Sequence, residues 1–349
     1  MNSIYTAESV TSGHPDKICD QISDAILDEC LRQDPLSRVA VETFGGHGHL
    51  IIGGEVTTKA KVDYAKIGKK VYKDIGHNDH LDVEVYVEEQ SPDISQGVDT
   101  GGAGDQGIMY GFATNETKEA LPKGVVLAHA LVKKLEEVRR KGGIKWLLPD
   151  GKSQVTINNG KVVSVLVSTQ HKPNVSRKEM EDEITKKIIK PIIGKDLSGI
   201  EVLINPSGKF ELGGFYADTG LTGRKLMVDT YGGVMPHGGG AFSGKDSTKV
   251  DRSGAYMARF VAKNLVMNGF AKNALVSVAY AIGKAEPVMV EAVDENGKSL
   301  KDIVDRNFDF RPQSIIKRLG LRKPIFQKTA AYGHFGKSGL PWEKVVKIK

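Results

Sequence analysis

Cysteine is scarce in this chain. Only Cys19 and Cys30 occur among 349 residues. Both fall within one helix-like stretch, where eleven residues at about 1.5 Å each hold them roughly 16 Å apart, beyond disulfide reach. Thiols so placed read as reduced, which makes a cytoplasmic location the expectation. No apolar run approaches the length of a membrane span, and Met1–Glu8 lack the basic-then-apolar pattern of a secretory signal, so no membrane partner is expected. Blocks of five or six like charges are also missing. Aromatic residues, 7% of the chain, are not interleaved with basic clusters. These absences count against nucleic acid as a partner. The formal charge of +6 still calls for something anionic. A phosphorylated small molecule satisfies it, and a nucleic-acid protein with steeply salt-dependent binding is the rival class.

Glycine, by contrast, is plentiful. The densest chemistry lies in Gly238-Gly239-Gly240-Ala241-Phe242-Ser243-Gly244-Lys245 and its continuation to Arg252. Glycines let backbone N–H groups approach an anion, while Lys245, Lys249 and Arg252 bring positive charge. Asp246 and Asp251 add carboxylate oxygens of the kind Mg²⁺ accepts. Together they describe a polyphosphate site, with a purely structural Gly-rich turn as the alternative. The run Gly239-x-x-x-x-Gly244-Lys245 comes near a P-loop, but Asp246 replaces the metal-binding hydroxyl and no strand-like run precedes it.

Three further stretches carry similar chemistry. Ser12-Gly13-His14-Pro15-Asp16-Lys17 stands before the first helix, with Pro15 suited to its first position. There His14 and Asp16 either serve an anion and a metal at the helix N-terminus or merely cap it. Asp218-Thr219-Gly220-Leu221-Thr222-Gly223-Arg224-Lys225 combines glycines with a phosphate-gripping Arg-Lys pair. Asp150-Gly151-Lys152-Ser153 reads first as a turn. Gly102-x-Gly104-x-x-Gly107 fits a dinucleotide fingerprint only if a strand precedes it, and Ser91–Thr100 is loop-like. His47-x-His49 and His77-x-x-His80 read as exposed histidines rather than zinc ligands, and Glu42 and Glu55 as solvated groups near strand ends.

Helical periodicity runs through Ile18, Ile22, Ala25, Ile26 and Cys30, through Leu127–Val138, and through Ile184–Ile189 after a capping box at Ser176 and Glu179. Two more helices are expected near 249–267 and 300–319. Alternation predicts strands around Val83–Val87, Val163–Val167, Val202–Ile204 and Val276–Tyr280. Without a strict βαβ rhythm the fold class is α+β. An apolar triplet followed by Thr recurs at Val39–Phe44, Val165–Gln170 and Leu226–Tyr231, hinting at three related sheets. Gly/Pro-rich breaks set expected domains at 1–93, 102–213 and 214–349.

Taken together, these stretches closely resemble the S-adenosylmethionine synthetase (methionine adenosyltransferase) family over nearly the whole chain. The landmarks, in order, are Gly13–Lys17, Gly53-Gly54-Glu55-Val56-Thr57-Thr58, Gln90-Ser91-Pro92-Asp93-Ile94 and Gly102–Gly107. Lys152-Ser153-Gln154-Val155, Gly220–Lys225, Gly238–Arg252 and Ala331-Tyr332-Gly333-His334-Phe335-Gly336 complete the series. The resemblance implies transfer of the adenosyl group of ATP to the sulfur of L-methionine, then hydrolysis of triphosphate to phosphate and diphosphate. It implies ATP contacts from His14, Asp150, Gly151, Lys152, Lys209, Phe210, Asp218, Arg224, Lys225, Ala241 and Lys245. Methionine would be met by Glu55, Gln90, Asp218 and Lys249; Mg²⁺ by Asp16 and Asp251; K⁺ by Glu42. His14, Lys152, Asp218, Arg224 and Lys245 form the implied catalytic set. Three similar α+β domains of mixed or antiparallel sheet in pseudo-threefold arrangement are implied, in a homo-oligomer with active sites at a dimer interface. Whether dimers pair into tetramers is left open. Two departures stand out. Asp99–Gly104 is shorter than the acidic loop most members carry, and Lys209 occupies a position usual for Arg, keeping charge but losing the bidentate fork. A small-molecule kinase using Gly239–Lys245 is the alternative enzyme.

Overall fold

The computed structural model describes residues 4–89 and 101–349. Three open sheets, each backed by helices, make up the molecule. The first joins β2 (Arg38–Gly46), β3 (His49–Thr57), β4 (Asp82–Glu88) and the short β9 (Gly220–Leu221) in the order β4-β3-β2-β9. The second runs β1-β6-β7-β8, from β1 (Ile4–Val10), β6 (Leu147–Asn158), β7 (Lys161–His171) and β8 (Glu201–Ile204). In the third, β10 (Asn273–Tyr280) lies between β11 (Met289–Val293) and β5 (Gly107–Thr114). Both β3–β4 and β7–β8 are parallel; the remaining pairs are antiparallel. Two mixed sheets and one antiparallel sheet, each backed by helices, are the α+β class that the irregular rhythm predicts.

Each sheet borrows a strand from a distant part of the chain. β1 joins the central sheet, β5 the C-terminal one and β9 the N-terminal one. These exchanges run across the 93/102 and 213/214 breaks and tie the three sheets together.

Helices α1 (Pro15–Gln33) and α2 (Tyr64–Ile75) cover the first sheet, with Ile18, Ile22 and Ile26 against Val39, Val41, Leu50 and Ile52. On the second sheet lie α3 (Lys123–Arg140) and α4 (Arg177–Ile184), the latter continuing through a π turn at Thr185–Ile189 into α5 (Lys190–Ile193). The expected Ser176 cap holds, its side chain accepting from the Glu179 amide. After the single turn α6 (Leu226–Asp229), α7 (Val250–Met267) packs on the third sheet. The helix expected near 300–319 is two, α8 (Lys301–Asn307) and α9 (Pro312–Leu319). Arg311 is extended because the ring of Pro312 disfavours helical backbone before it.

Three sequence expectations are corrected here. Asp150-Gly151-Lys152-Ser153 is not a turn but lies within strand β6, Gly151–Ser153 pairing with Val167–Thr169 of β7. Leu226–Tyr231, the third copy of the repeated triplet, begins in a helical turn rather than a strand; the Asp229 amide closes back on the Lys225 carbonyl. His77 is buried, stacked on Tyr72 at 5.0 Å and within 3.1 Å of the Gly13 carbonyl, whereas His47, His49 and His80 are exposed.

Candidate active site at the N-terminus of helix α1

Helix α1 starts where its sequence says it should. His14 is the N-cap in extended conformation and Pro15 opens the helix. The His14 Nδ1 accepts the Asp16 amide at 3.2 Å, which fixes the ring proton on Nε2. Burial, then the nearby charges of Lys225, Lys152 and Lys17, pull its pKa down to about 3. His14 is therefore a neutral hydrogen-bond donor at physiological pH. A Cβ on Gly13 would fall 2.5 Å from the Pro149 carbonyl, so only glycine lets the turn meet the strand that carries Asp150, Gly151 and Lys152.

Along α1, Asp16, Asp20, Asp24 and Asp28 recur every four residues and form one carboxylate face. All four are buried, and each holds a backbone N–H from beyond residue 220. Asp16 takes the amide of Leu221 (3.0 Å), Asp20 that of Gly223 (2.8 Å) and Asp24 that of Gly244 (2.9 Å). Asp28 takes those of Phe326 and Gln327. The helix thus acts as a ruler that spaces the Gly220–Lys225 loop from the Gly238–Asp246 loop. Of this face, sequence reasoning singled out Asp16 alone; the i, i+4 repeat of one charged residue type was the signal it missed.

The cations of these loops rest on carboxylates. Lys225 Nζ lies 2.5 Å from Asp16 and Arg224 Nε 3.1 Å from it. Burial works against the Asp16 carboxylate, but the Lys225 hydrogen bond and charge outweigh it and hold its pKa low. Lys245 pairs with Asp251 at 2.6 Å, and Lys249 with Asp246 at 2.6 Å. Gly244, at φ +80°, lies so near β2 that a Cβ would be 1.9 Å from the Val41 carbonyl. That approach lets Lys245 pair with Ala40 as an extra sheet position. Ala241 sits against Gly223, where an added Cβ would meet its own at 2.4 Å, so the two glycine loops touch.

The Lys245 pairing places three implied residues on one sheet face. Lys245, Ala40 and Glu55 form a row across the strands, and Glu42 lies two residues further along β2. The next row on this face is Leu221, Phe44 and Ile51, each more than one-third exposed. Neither Glu42 nor Glu55 has an ion-pair or hydrogen-bond partner among the described residues.

The remaining implied residues sit around the loops. Asp150 Oδ2 accepts the Gly214 amide, while its Oδ1 is buried without a partner among the described residues; burial raises its pKa to about 6. Asp218 is exposed and accepts the Thr219 amide, and its charge reaches Asp150. Phe210 is fixed by two hydrogen bonds with His171, and exposed Lys209 borders a cavity of about 300 Å³ with Asn205 and Arg177. Gln90 lies outside the described residues. The Gly102–Gly107 motif leads into strand β5 rather than a helix, which removes the dinucleotide reading. No strand precedes Gly239–Lys245 and α7 begins only at Val250, so this is not a P-loop.

Profiles described as the N-terminal, central and C-terminal domains of S-adenosylmethionine synthetase match residues 2–94, 100–210 and 212–344. The chain belongs to the S-adenosylmethionine synthetase family. It is similar to the S-adenosylmethionine synthase of Mesoplasma florum, 50% identical over all of this chain and 99% of that protein. That of Petrotoga mobilis is 48% identical, covering 99% of this chain and 97% of its own. That of Mycoplasma capricolum subsp. capricolum is 50% identical, covering 99% and 96%. The three-part family architecture matches the three sheets. Among the described residues no helix is long and apolar enough to cross a membrane.

Proposed function

We propose that this chain joins ATP and L-methionine into S-adenosylmethionine and cleaves the displaced triphosphate to phosphate and diphosphate. The observation that carries the reading is the α1 carboxylate face, which holds two cation-bearing glycine loops at set positions beside His14.

The chemistry explains the residue types. A neutral thioether attacks a ribose carbon and has no proton to lose, so general base catalysis has little to offer. Alignment of sulfur, carbon and leaving oxygen can supply about 7–11 kcal/mol. Neutralising the departing triphosphate supplies the next share. Arg224, Lys225, Lys245 and Lys152 would take that charge. His14 Nε2–H would donate to the oxygen leaving the ribose, as a neutral donor rather than an acid. Asp150 Oδ1 would accept from the nucleoside, with Gly151, Lys209, Phe210 and Ala241 lining its place. Asp218 would face both substrates, and Glu55, Gln90 and Lys249 would read the amino-acid end of methionine.

The family is metal-dependent. Among the described residues no group of three or more His, Cys, Asp or Glu could hold a metal alone. Mg²⁺ fits such a site, since it is commonly held by one or two carboxylates together with substrate phosphates. Asp16 and Asp251 offer those oxygens, and Mg²⁺ there would neutralise phosphate charge. Their lysine partners would then turn to the phosphates. Glu42 would hold K⁺.

The apolar row Leu221–Phe44–Ile51 beside Glu42 and Glu55, which are unpartnered among the described residues, supports a second subunit over this face, completing the site. Phe44→Asp is expected to shift the assembly toward monomer in sedimentation velocity and lower turnover at least tenfold. An unchanged mass would exclude this face as the interface.

The deciding assay supplies ATP, methionine, Mg²⁺ and K⁺. S-Adenosylmethionine, phosphate and diphosphate in equal amounts are expected, without ADP. ADP formation would favour the kinase instead.

A further inference from the structure

Lys17 is wholly buried. Its ammonium donates to Asp20 at 2.8 Å and to Asp229 at 2.5 Å. Asp20 in turn receives the amide of Gly223 at 2.8 Å. One cation therefore grips both flanks of a seven-residue segment, at Gly223 through Asp20 and at Asp229 directly. Arg224 and Lys225 stand between the two grips. The Asp229 backbone is fixed as well, its amide donating to Lys225 and its carbonyl accepting from His334.

The pin continues toward the second glycine loop. His334 Nδ1 is 2.7 Å from the Tyr256 hydroxyl, which receives Arg252 Nε at 3.0 Å. Arg252 closes on Asp24, the carboxylate that holds the Gly244 amide. Among the described residues His334 Nε2 has no hydrogen-bond partner but faces Asp229 at 3.7 Å. Loosening this network would leave a buried ion unpaired away from water, which is costly.

We infer that Lys17 is a positioning residue: through Asp20 and Asp229 it fixes the Gly223–Asp229 segment so that Arg224 and Lys225 meet the leaving triphosphate in line. This rests on the proposed adenosyl transfer, and displacement of a catalytic group by about 1 Å can slow a reaction by about 10²-fold.

The test uses Lys17→Met, which keeps the stem and removes the charge, and Asp20→Asn, which keeps an acceptor for the Gly223 amide but weakens the grip. Both are expected to lower kcat, by about 100-fold and about tenfold, with the methionine KM within twofold of wild type. Amide exchange at Gly223 should quicken at least tenfold in each, while helix α3 keeps its protection. If Lys17→Met fails to fold, Asp20→Asn decides. Wild-type kcat in Asp20→Asn, with or without faster exchange at Gly223, would overturn the positioning role. Should the wild type form no S-adenosylmethionine, the reaction reading fails, and unchanged Gly223 exchange would then overturn the pin by itself.

Discussion

Asp24→Ala is expected to destabilise the fold by about 3–5 kcal/mol, because it leaves a buried guanidinium without its counter-ion. Asp24 and Arg252 are both wholly buried and joined by two 2.7 Å bonds, one to each carboxylate oxygen. Arg252 also lies over the Phe326 ring at 4.3 Å, donates to the Lys245 carbonyl at 3.1 Å and cannot reach water. The substitution frees the Gly244 amide as well, so the glycine loop loses its anchor on α1. A fall in melting temperature of about 4–7 °C should follow, measured by calorimetry. The contrast is Lys70–Asp74 on α2, where both side chains are more than half exposed. Asp74→Ala there should change stability by less than about 0.5 kcal/mol. Equal effects at the two sites would mean that burial does not govern the Asp24 pair.

The start and the apolar face of helix α1 were readable because their signals are local. The N-cap His14, Pro15 and the apolar period all lie within its own residues. The strand exchanges were not readable. Ile4–Val10 pairs with Leu147–Asn158, and nothing in the alternation of either segment names its partner. The Leu226–Tyr231 triplet misled for the opposite reason. Its apolar run suits a strand, but Asp229 is drawn to Lys17 and the chain turns to bring it there. A local pattern loses to a buried ion pair. His77 failed similarly, since Asn78 and Gly76 suggest a turn while stacking on Tyr72 buries the ring. Polyphosphate chemistry was legible in the glycine–lysine–aspartate mixture, but the roles of single residues came from the family resemblance. The aspartate face of α1 stood in plain view as a four-residue repeat. It went unread because buried carboxylates in a helix middle look like solvent-facing ones until their amide partners are known.

Lys245→Met should lower the single-turnover rate of adenosyl transfer by about 10²–10³-fold, the loss typical when one preorganised charge donor is removed. Methionine affinity should change by less than about threefold. Lys245 sits on the extra sheet position beside Ala40, with its ammonium 2.6 Å from Asp251. It is partly buried, so its charge is poorly screened, and its backbone is held by the bridge to Ala40. A charge fixed in this way favours the transition state, where negative charge gathers on the leaving oxygens, over bound ATP. His14→Asn offers the matching comparison. It removes a neutral donor and should slow the same step by only about 10–100-fold, the worth of one hydrogen bond to a charged oxygen. The order is the diagnostic. If Lys245→Met weakened methionine binding while transfer kept its rate, Lys245 would belong to the amino-acid end of the site. The triphosphate would then rest on Arg224, Lys225 and Lys152 alone.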